Sequence, residues 1–470
     1  MQSLNQRSAI AFLFVAFLLV STQIPAFSQW HVSVVEGKTS PKKNRDQGLE
    51  MLSGIRDTLK EYYYDKTFKG IDLDEKYKAA KERIKTLEYN WQIHRVLAQF
   101  LLDFRDSHTI FLPPRRANKV DYGFQMQMIG EDCIVTSVKK DFDAVKKGLK
   151  PGDKIVMIGS LPTTRESLWV VEYLIRVLDP QEAILVTIKD SSGVEKQLKI
   201  ESKLVTLDEQ EEQNDEIWKT LKAKDVNPYK CQSINTQIVA CKLETFSAYK
   251  DEVDEMMKEV GDHSKLILDL RGNGGGLLET ERRALSYFFD REINVGTQIG
   301  RKKSKEIKVK PIKGKMFSGE LIVLVDSDSG SASEIFARVM QIEKRGIVIG
   351  DRTAGAVMVS YRIPMQWDSG TDSSFRVVTY GVSVTVGDMV MSDGGRLENV
   401  GVTPDILIGP KPNAFAENTD PVLAYAIQKF GGETTQEEAG KMRFLIPLTL
   451  KEMADEKARE KESKKEGKNQ

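Results

Sequence analysis

Four serines lie within seven residues of the segment "VDSDSGSASEIFARVMQ" (325–341), between two apolar runs. The run before them predicts a buried strand, and the apolar positions after them have helical spacing. A hydroxyl at such a turn lies at the carboxyl end of a sheet, where free N–H groups of the first helical turn can stabilise an oxyanion. Ser331 also precedes Glu334 by three residues, a spacing typical of a helix cap without chemistry. This segment alone leaves both interpretations open.

A glycine-rich loop follows another apolar run, in "LILDLRGNGGG" (266–276). Glycines allow the backbone to approach a ligand closely and to turn its N–H groups outward. The dinucleotide-binding spacing fails at Leu277, and no Gly-Lys-Ser/Thr follows. The loop therefore favours N–H donation to an acyl oxyanion over nucleotide binding.

Three regions of different periodicity must position these segments. Helical spacing of apolar residues predicts a helical domain over 29–118, with a flexible lead-in up to 46. Short strands follow from 122, and "GLKPGDKIVMIGSLPT" resembles the signature of bacterial PDZ domains, which predicts such a domain over 119–204. Continuous apolar runs alternating with helices predict an α/β catalytic domain over 205–432.

The resemblance to a PDZ domain implies a partner. Such a domain adds an extended peptide to the edge of its sheet, and backbone amides receive the terminal carboxylate. The expected carboxylate loop is "YGFQM", which comprises Tyr122, Gly123, Phe124, Gln125 and Met126. The alternative is a small β domain without a ligand.

Taken in order, the glycine loop, the serine segment and "LENVGVTPDI" resemble the C-terminal-processing and tricorn-type serine peptidases, over most of 45–430. The resemblance implies a crotonase-like catalytic fold. It also implies that Ser331 is the nucleophile, and that the N–H groups of Gly274, Gly275 and Ala332 form the oxyanion hole.

The two branches of that family differ in the base. The C-terminal-processing branch has a lysine about 25 residues after the nucleophile, where this sequence has Ala356 in "GDRTAGAVMVS". The tricorn-type branch uses a histidine, and "DSHTIF" supplies His108. The resemblance then implies a Ser-His-Ser-Glu relay completed by Ser107 and Glu398. A purely structural His108, which docks the helical domain onto the catalytic one, remains open. Asp106 is a separate alternative for the orienting carboxylate.

Composition limits the other possibilities. The net charge is +0 with a pI near 6.9, which does not point to nucleic acid or an anionic membrane. The 4 histidines are not clustered with one another or with cysteines, so we expect neither a metal nor another cofactor. The oligomeric state is undetermined by the sequence.

The N-terminus predicts export. A signal peptide over 1–28 is predicted by Arg7, an apolar stretch over 9–20 and the small residues before Gln29, and an uncleaved membrane anchor is the alternative. No second segment is long and apolar enough to span a membrane. We therefore expect a periplasmic or extracellular protein. Cys231 and Cys241 could pair or stay reduced. The mixed-charge segment 433–470 is predicted to be a solvated tail without function.

These observations lead to two hypotheses. The first is an exported serine endopeptidase that cleaves unfolded or C-terminally exposed polypeptides delivered by the PDZ-like domain. The second is a binding protein on the same fold, as in the repeats of the interphotoreceptor retinoid-binding protein, that carries peptide or hydrophobic ligands.

Overall fold

The computed structural model describes residues 40–445, except 115, 117, 191, 207–227 and 369–376. The expected signal peptide and the tail beyond 445 lie outside these residues. The helices are α1 Pro41–Tyr62, α2 Leu73–Ile84, α3 Asn90–Leu102, α4 Asp143–Lys146, α5 Leu168–Tyr173, α6 Lys250–Val260, α7 Leu278–Leu285, α8 Ala332–Ile342, α9 Ala414–Glu417, α10 Pro421–Lys429 and α11 Gln436–Lys441.

The strands form four sheets. They are β1 Ile110–Leu112, β2 Asn118–Asp121, β3 Phe124–Ile129, β4 Asp132–Val138, β5 Lys154–Ile158, β6 Leu161–Pro162, β7 Ala183–Lys189, β8 Glu195–Glu201, β9 Lys203–Thr206, β10 Tyr229–Ser233, β11 Ile238–Leu243, β12 Lys265–Asp269, β13 Ile293–Gly300, β14 Ser304–Val309, β15 Glu320–Val325, β16 Ile347–Gly350, β17 Met358–Asp368, β18 Val377–Met391 and β19 Ile406–Leu407.

The sheet that carries the site has the order β10-β11-β12-β15-β16-β19 and is parallel from β11 onward. Successive residues of its strands enter opposite cores, because side chains alternate along a strand. Leu268 and Val323 lie in one core, whereas Ile267 and Ile322 lie in the other. Burial on both faces explains why the strands are continuous apolar runs. The carboxyl ends of β12, β15 and β16 bring the glycine loop, the serine segment and the loop 351–357 to one edge.

The N-terminal helices pack against a different sheet. Its long strand β18 pairs antiparallel with β17, β1 and β13, and helices α1 to α3 share a core with Phe111 of β1 and Val382 of β18. Helix α1 begins at Pro41, inside the lead-in expected to be flexible, because Ser40 Oγ accepts the Lys43 N–H at 3.3 Å. This packing fixes the turn between α3 and β1, which carries His108.

Residues 118–206 form a separate β unit. Its larger sheet has the order β3-β4-β5-β7-β8, with β6 on β5, and the β2–β9 pair lies beside it in the chain. This unit has its own core, which includes Tyr122, Phe124 and Val186. Strand β3 is an edge strand of the larger sheet.

The chain after 432 continues to fold. Helix α11 is capped by Thr435, and Phe444 is 1% exposed in the core beneath the parallel sheet. The solvated tail predicted from 433 therefore begins with a packed segment, whose apolar residues the charge pattern obscured. None of the described helices combines the length and the apolar character needed to cross a bilayer.

Candidate active site

Ser331 lies at the turn between β15 and α8, in a strained conformation. Its φ of 53° and ψ of −116° are rare for any residue except glycine, at a typical cost of about 1–3 kcal/mol. Its N–H is shared between Ala356 O and Glu334 Oε2, each at 3.0 Å. Such strain persists only where the surroundings enforce it, and it is common at active sites.

The glycine loop lies against this turn. A Cβ on Gly275, whose φ is +99°, would lie 2.6 Å from Ser331 Cβ and 2.7 Å from Gly330 O, so only glycine fits. Asn273 ties the two loops together, because its carbonyl accepts both the Gly330 N–H at 3.0 Å and Ser333 Oγ–H at 2.7 Å.

The three expected oxyanion donors differ in availability. The N–H groups of Gly274 and Ala332 make no hydrogen bond among the described residues. The Gly275 N–H instead donates to Asn273 Oδ1 at 3.0 Å. The arrangement therefore offers Gly274 and Ala332 as free donors, and Gly275 only after a change of partner.

His108 lies in a hydrogen-bonded chain with Ser107 and Glu398. Ser107 Oγ is 2.8 Å from His108 Nδ1 and donates to Glu398 Oε2 at 2.9 Å. Glu398 Oε1 accepts the Ser107 N–H at 2.9 Å. The structure thus brings Glu398 to Ser107 and His108, although Glu398 follows Ser107 by 291 positions in the sequence.

This chain fixes the tautomer of the imidazole. Because the Ser107 hydroxyl donates its only proton to Glu398, it must accept the proton of His108 Nδ1. The lone pair of Nε2 is then free to take a proton. Burial lowers the pKa of His108 below its ordinary value, opposed by the charge of Asp106 and aided by that of Arg362. A neutral imidazole is the form that a general base requires.

His108 and Ser331 are not joined in this state. Among the described residues, no hydrogen bond connects Ser331 Oγ with the imidazole, whose ring is bonded only through Nδ1. Catalytic hydrogen bonds are often long without substrate and shorten in the complex.

Asp106 does not orient the imidazole. Its carboxylate accepts Thr385 Oγ1–H at 2.5 Å, Tyr63 Oη–H at 3.0 Å and the His108 backbone N–H at 3.1 Å. It is 2% exposed and fastens the turn to α1 and β18. The carboxylate that is bonded to the Ser107 hydroxyl, and through it to the imidazole, is that of Glu398.

The expected peptide-binding loop is mostly packed. Tyr122, Phe124 and Met126 are buried, and Gln125 is exposed. The Gly123 N–H donates to Asp121 Oδ1 at 2.8 Å. Farther along the same edge strand, Ser327 Oγ donates to Met128 O at 2.7 Å, which links the strand to the serine segment.

Two residues of the site have roles that the sequence analysis missed. Glu334, expected only as a cap, also accepts bonds from the loop 353–356, and Asn273 joins the glycine loop to the serine turn. The capping-box spacing pointed to Glu334, and the lone amide among glycines was the signal for Asn273. No group of three or more His, Cys, Asp or Glu side chains in the described part of the chain could hold a metal ion.

The fold is α/β, and comparison with known proteins relates the chain to peptidases of the serine type. Residues 237–408 match Peptidase family S41. This match spans less than half of the chain, and the matched segment is similar to serine-type peptidases of that family.

Two curated relatives illustrate the similarity. The chain is 28% identical over 328 residues to the tail-specific protease of Haemophilus influenzae. This alignment covers 64% of this chain and 43% of that protein. It is 24% identical over 319 residues to carboxyl-terminal-processing peptidase 1, chloroplastic, of Arabidopsis thaliana. This second alignment covers 64% of this chain and 61% of that protein. The matches thus span less than two thirds of either relative.

Among solved structures, mature CPAF complexed with lactacystin has a similar fold. The TM-score is 0.59 at 15% sequence identity, over 85% of this chain and 99% of that chain. This likeness concerns the fold alone.

Proposed function

We propose that this chain is an exported serine endopeptidase that cleaves unfolded or C-terminally exposed polypeptides. Ser331 is the nucleophile, and His108 is the base within a Ser-His-Ser-Glu relay. The observation that carries the proposal is the chain of hydrogen bonds from His108 Nδ1 through Ser107 Oγ to Glu398 Oε2. A merely structural histidine does not need two further residues to fix its tautomer.

The proposed reaction assigns each of these residues a step. His108 Nε2 takes the Ser331 Oγ proton while Oγ attacks the scissile carbonyl carbon. The N–H groups of Gly274 and Ala332 bind the resulting oxyanion. The imidazolium, stabilised through Ser107 by Glu398, then protonates the leaving amine as the C–N bond breaks. The same imidazole then deprotonates a water molecule, whose oxygen attacks the carbonyl carbon of the acyl-enzyme. The imidazolium returns this proton to Ser331 Oγ as the ester C–O bond breaks and the carboxylic acid product leaves.

The remaining assignments concern architecture and location. We assign residues 205–432 to a crotonase-like catalytic domain and 119–204 to a PDZ-like domain that receives polypeptide C-termini along the edge of β3. We assign residues 29–118 to the helical domain predicted from their sequence. Export is supported by the sequence of 1–28 and by the disulfide between Cys231 and Cys241, because disulfides persist in oxidising compartments. The location is then periplasmic or extracellular.

A serine-directed phosphonate tests the proposal. It is expected to form a covalent adduct on Ser331, detectable by mass spectrometry of the peptide that contains the serine segment. Ser331→Ala should abolish both the adduct and the cleavage of an unstructured protein such as casein. Ser329→Ala cannot serve as a control, because Ser329 Oγ donates to Leu270 O in the core at 2.8 Å.

Ser327→Ala is the matched control, since Ser327 lies in the same segment and its only described side-chain bond is to Met128 O. It should keep the adduct and cleavage. Cleavage by Ser331→Ala at the parent rate would refute the peptidase assignment. A parent protein that is not labelled and does not cleave would favour the ligand-binding alternative.

A further inference from the structure

The loop 353–357 follows β16 at the place where the lysine-dependent branch carries its base. Ala356 stands at the position of that lysine, and its methyl side chain cannot accept a proton. The backbone of the loop nevertheless forms hydrogen bonds with Ser331 on one side and with Glu398 on the other. Ala356 O accepts the Ser331 N–H at 3.0 Å, and the Val357 N–H donates to Glu398 Oε2 at 2.9 Å. The loop therefore lies between the candidate nucleophile and the carboxylate of the relay.

Glu334 holds the nucleophile side of this loop. Oε1 accepts Thr353 Oγ1–H at 2.5 Å and the Gly355 N–H at 2.8 Å. Oε2 accepts the Ala356 N–H at 2.9 Å and the Ser331 N–H at 3.0 Å. A helix cap accounts only for the bond to Ser331. The other three donors all come from the loop.

The opposite side of the loop is bonded to the turn that carries Glu398. The Asn399 N–H donates to Gly355 O at 2.7 Å. The Val402 N–H donates to Thr353 Oγ1 at 2.6 Å, so that this hydroxyl relays between the turn and Glu334. A Cβ on Gly355, whose φ is +71°, would lie 3.0 Å from Val400 N, which shows how closely the two segments approach.

We propose that the loop 353–357 is a brace that sets the position of Ser331 relative to the His108–Ser107–Glu398 relay, and that Glu334 is the positioning residue that closes it. The inference rests on the proposed peptidase function. Glu334 touches neither the imidazole nor the serine hydroxyl among the described contacts, and it acts through the Ser331 backbone. The strained φ and ψ of Ser331 are the conformation that the brace must enforce.

Electrostatics are consistent with this role. Glu334 is fully buried, and burial raises its pKa to about 7 although its four donors lower it. The ionised carboxylate is acceptor-only and can satisfy all four donors, whereas an amide in its place turns an NH₂ group toward two of them. Glu334→Gln therefore tests the bonds with almost no change in volume.

We expect Glu334→Gln to lower kcat about 100-fold and to leave KM within about threefold, because displacing a reacting group by about 1 Å has an effect of that size. The rate at which the phosphonate labels Ser331 should fall in parallel. Glu334→Asp keeps the charge and should recover part of the lost kcat. The circular dichroism spectrum should match that of the parent.

Glu343→Gln is the matched control, because Glu343 is the C-cap residue of the same helix and pairs with Arg291 near the surface at 2.6 Å. It should leave kcat and labelling unchanged. A folded Glu334→Gln protein with kcat and labelling within threefold of the parent would overturn the brace. So would a loss confined to KM. If Glu334→Gln does not fold, Thr353→Val gives the same test from the donor side, with a smaller expected loss of kcat.

Amide hydrogen exchange separates failure of the brace from failure of the peptidase assignment. If Glu334 closes the brace, exchange at Gly355 and Ala356 should accelerate in Glu334→Gln whether or not the parent cleaves protein. Unchanged exchange at both amides refutes the brace. An inactive, unlabelled parent with accelerated exchange in the variant refutes only the catalytic assignment.

Discussion

Two glutamates in the first turns of neighbouring helices differ in one respect. Glu334 of α8 and Glu281 of α7 are both fully buried, and each helix follows a loop that belongs to the candidate site. Burial raises the pKa of Glu334 to about 7 and that of Glu281 to about 8. Glu334, however, accepts four hydrogen bonds, whereas neither carboxyl oxygen of Glu281 has a partner among the described residues.

The difference shows that burial of an acid does not by itself indicate function. Desolvation disfavours the charged form of both groups. Only Glu334 has donors that stabilise its ionised form and tie it to the neighbouring segments. Glu281 is held as a neutral acid whose polar atoms are unsatisfied, at a cost of about 1–3 kcal/mol for such a group. Substitution of an acid that accepts hydrogen bonds within the site should therefore lower activity, whereas substitution of Glu281 should change stability.

The largest loss of activity is expected from substitution of His108, the proposed base that is linked through Ser107 to the hydrogen-bonded acid Glu398. His108→Ala removes the base that Ser107 and Glu398 orient, and we expect kcat for cleavage of an unstructured protein to fall about 10⁴-fold. His263→Ala is the control, because His263 contacts Ser233 and Val260 rather than the site. Activity of the His108 variant within tenfold of the parent would remove His108 and the relay from the mechanism.

A smaller effect separates the partnered acid of the relay from Glu281. Glu398→Gln keeps the shape but weakens the acceptor for Ser107 and the stabilisation of the imidazolium, and we expect kcat to fall about 100-fold. Glu281→Gln should leave kcat within about twofold, because no described bond links Glu281 to the site. Equal losses in the two variants would contradict the distinction drawn here.

The sequence predicted the parts of the site but not all of their connections. Ser331, Ser107, His108 and Glu398 were expected from motif order, and the structure brings the last three together by hydrogen bonds. The role of Glu334 beyond a cap was not predictable, because its other donors come from a loop about 20 residues away whose backbone direction no local pattern encodes. The bond between the Gly275 N–H and Asn273 Oδ1 is local, because an asparagine side chain can accept from the backbone two residues later, and the glycine pattern alone did not indicate it.

The fold was predicted best where periodicity is strong. Apolar runs gave β12, β15 and β16, and helical spacing gave α1 to α3, because burial on fixed faces leaves a regular pattern. Phe444 was missed because the short apolar run that it begins, "FLIPL", was read together with the charged segment around it. Glu281 was missed because a glutamate in an amphipathic helix is ordinarily assigned to the solvated face.

The smallest effect is expected for Glu281, whose carboxyl oxygens have no hydrogen-bond partner among the described residues, and it is a change in stability. The ordinary pKa of Glu281 is 4.5 and its pKa in the folded state is about 8, so between these values the folded protein retains a proton that the unfolded chain releases. The contribution of this group to the free energy of unfolding therefore decreases as pH rises from about 4.5 to about 8. Glu281→Gln removes the titration, and we expect its Tm to equal that of the parent near pH 5 and to exceed it by several degrees near pH 8.

Glu279→Gln is the matched control for this measurement. Glu279 lies on the same helix but is exposed and pairs with Lys250 at 2.9 Å. Its variant should show no gain in Tm that grows with pH. A Tm difference between the Glu281 variant and the parent that is independent of pH would mean that Glu281 does not carry the bound proton. The comparison with Glu334 would then rest on hydrogen bonding alone.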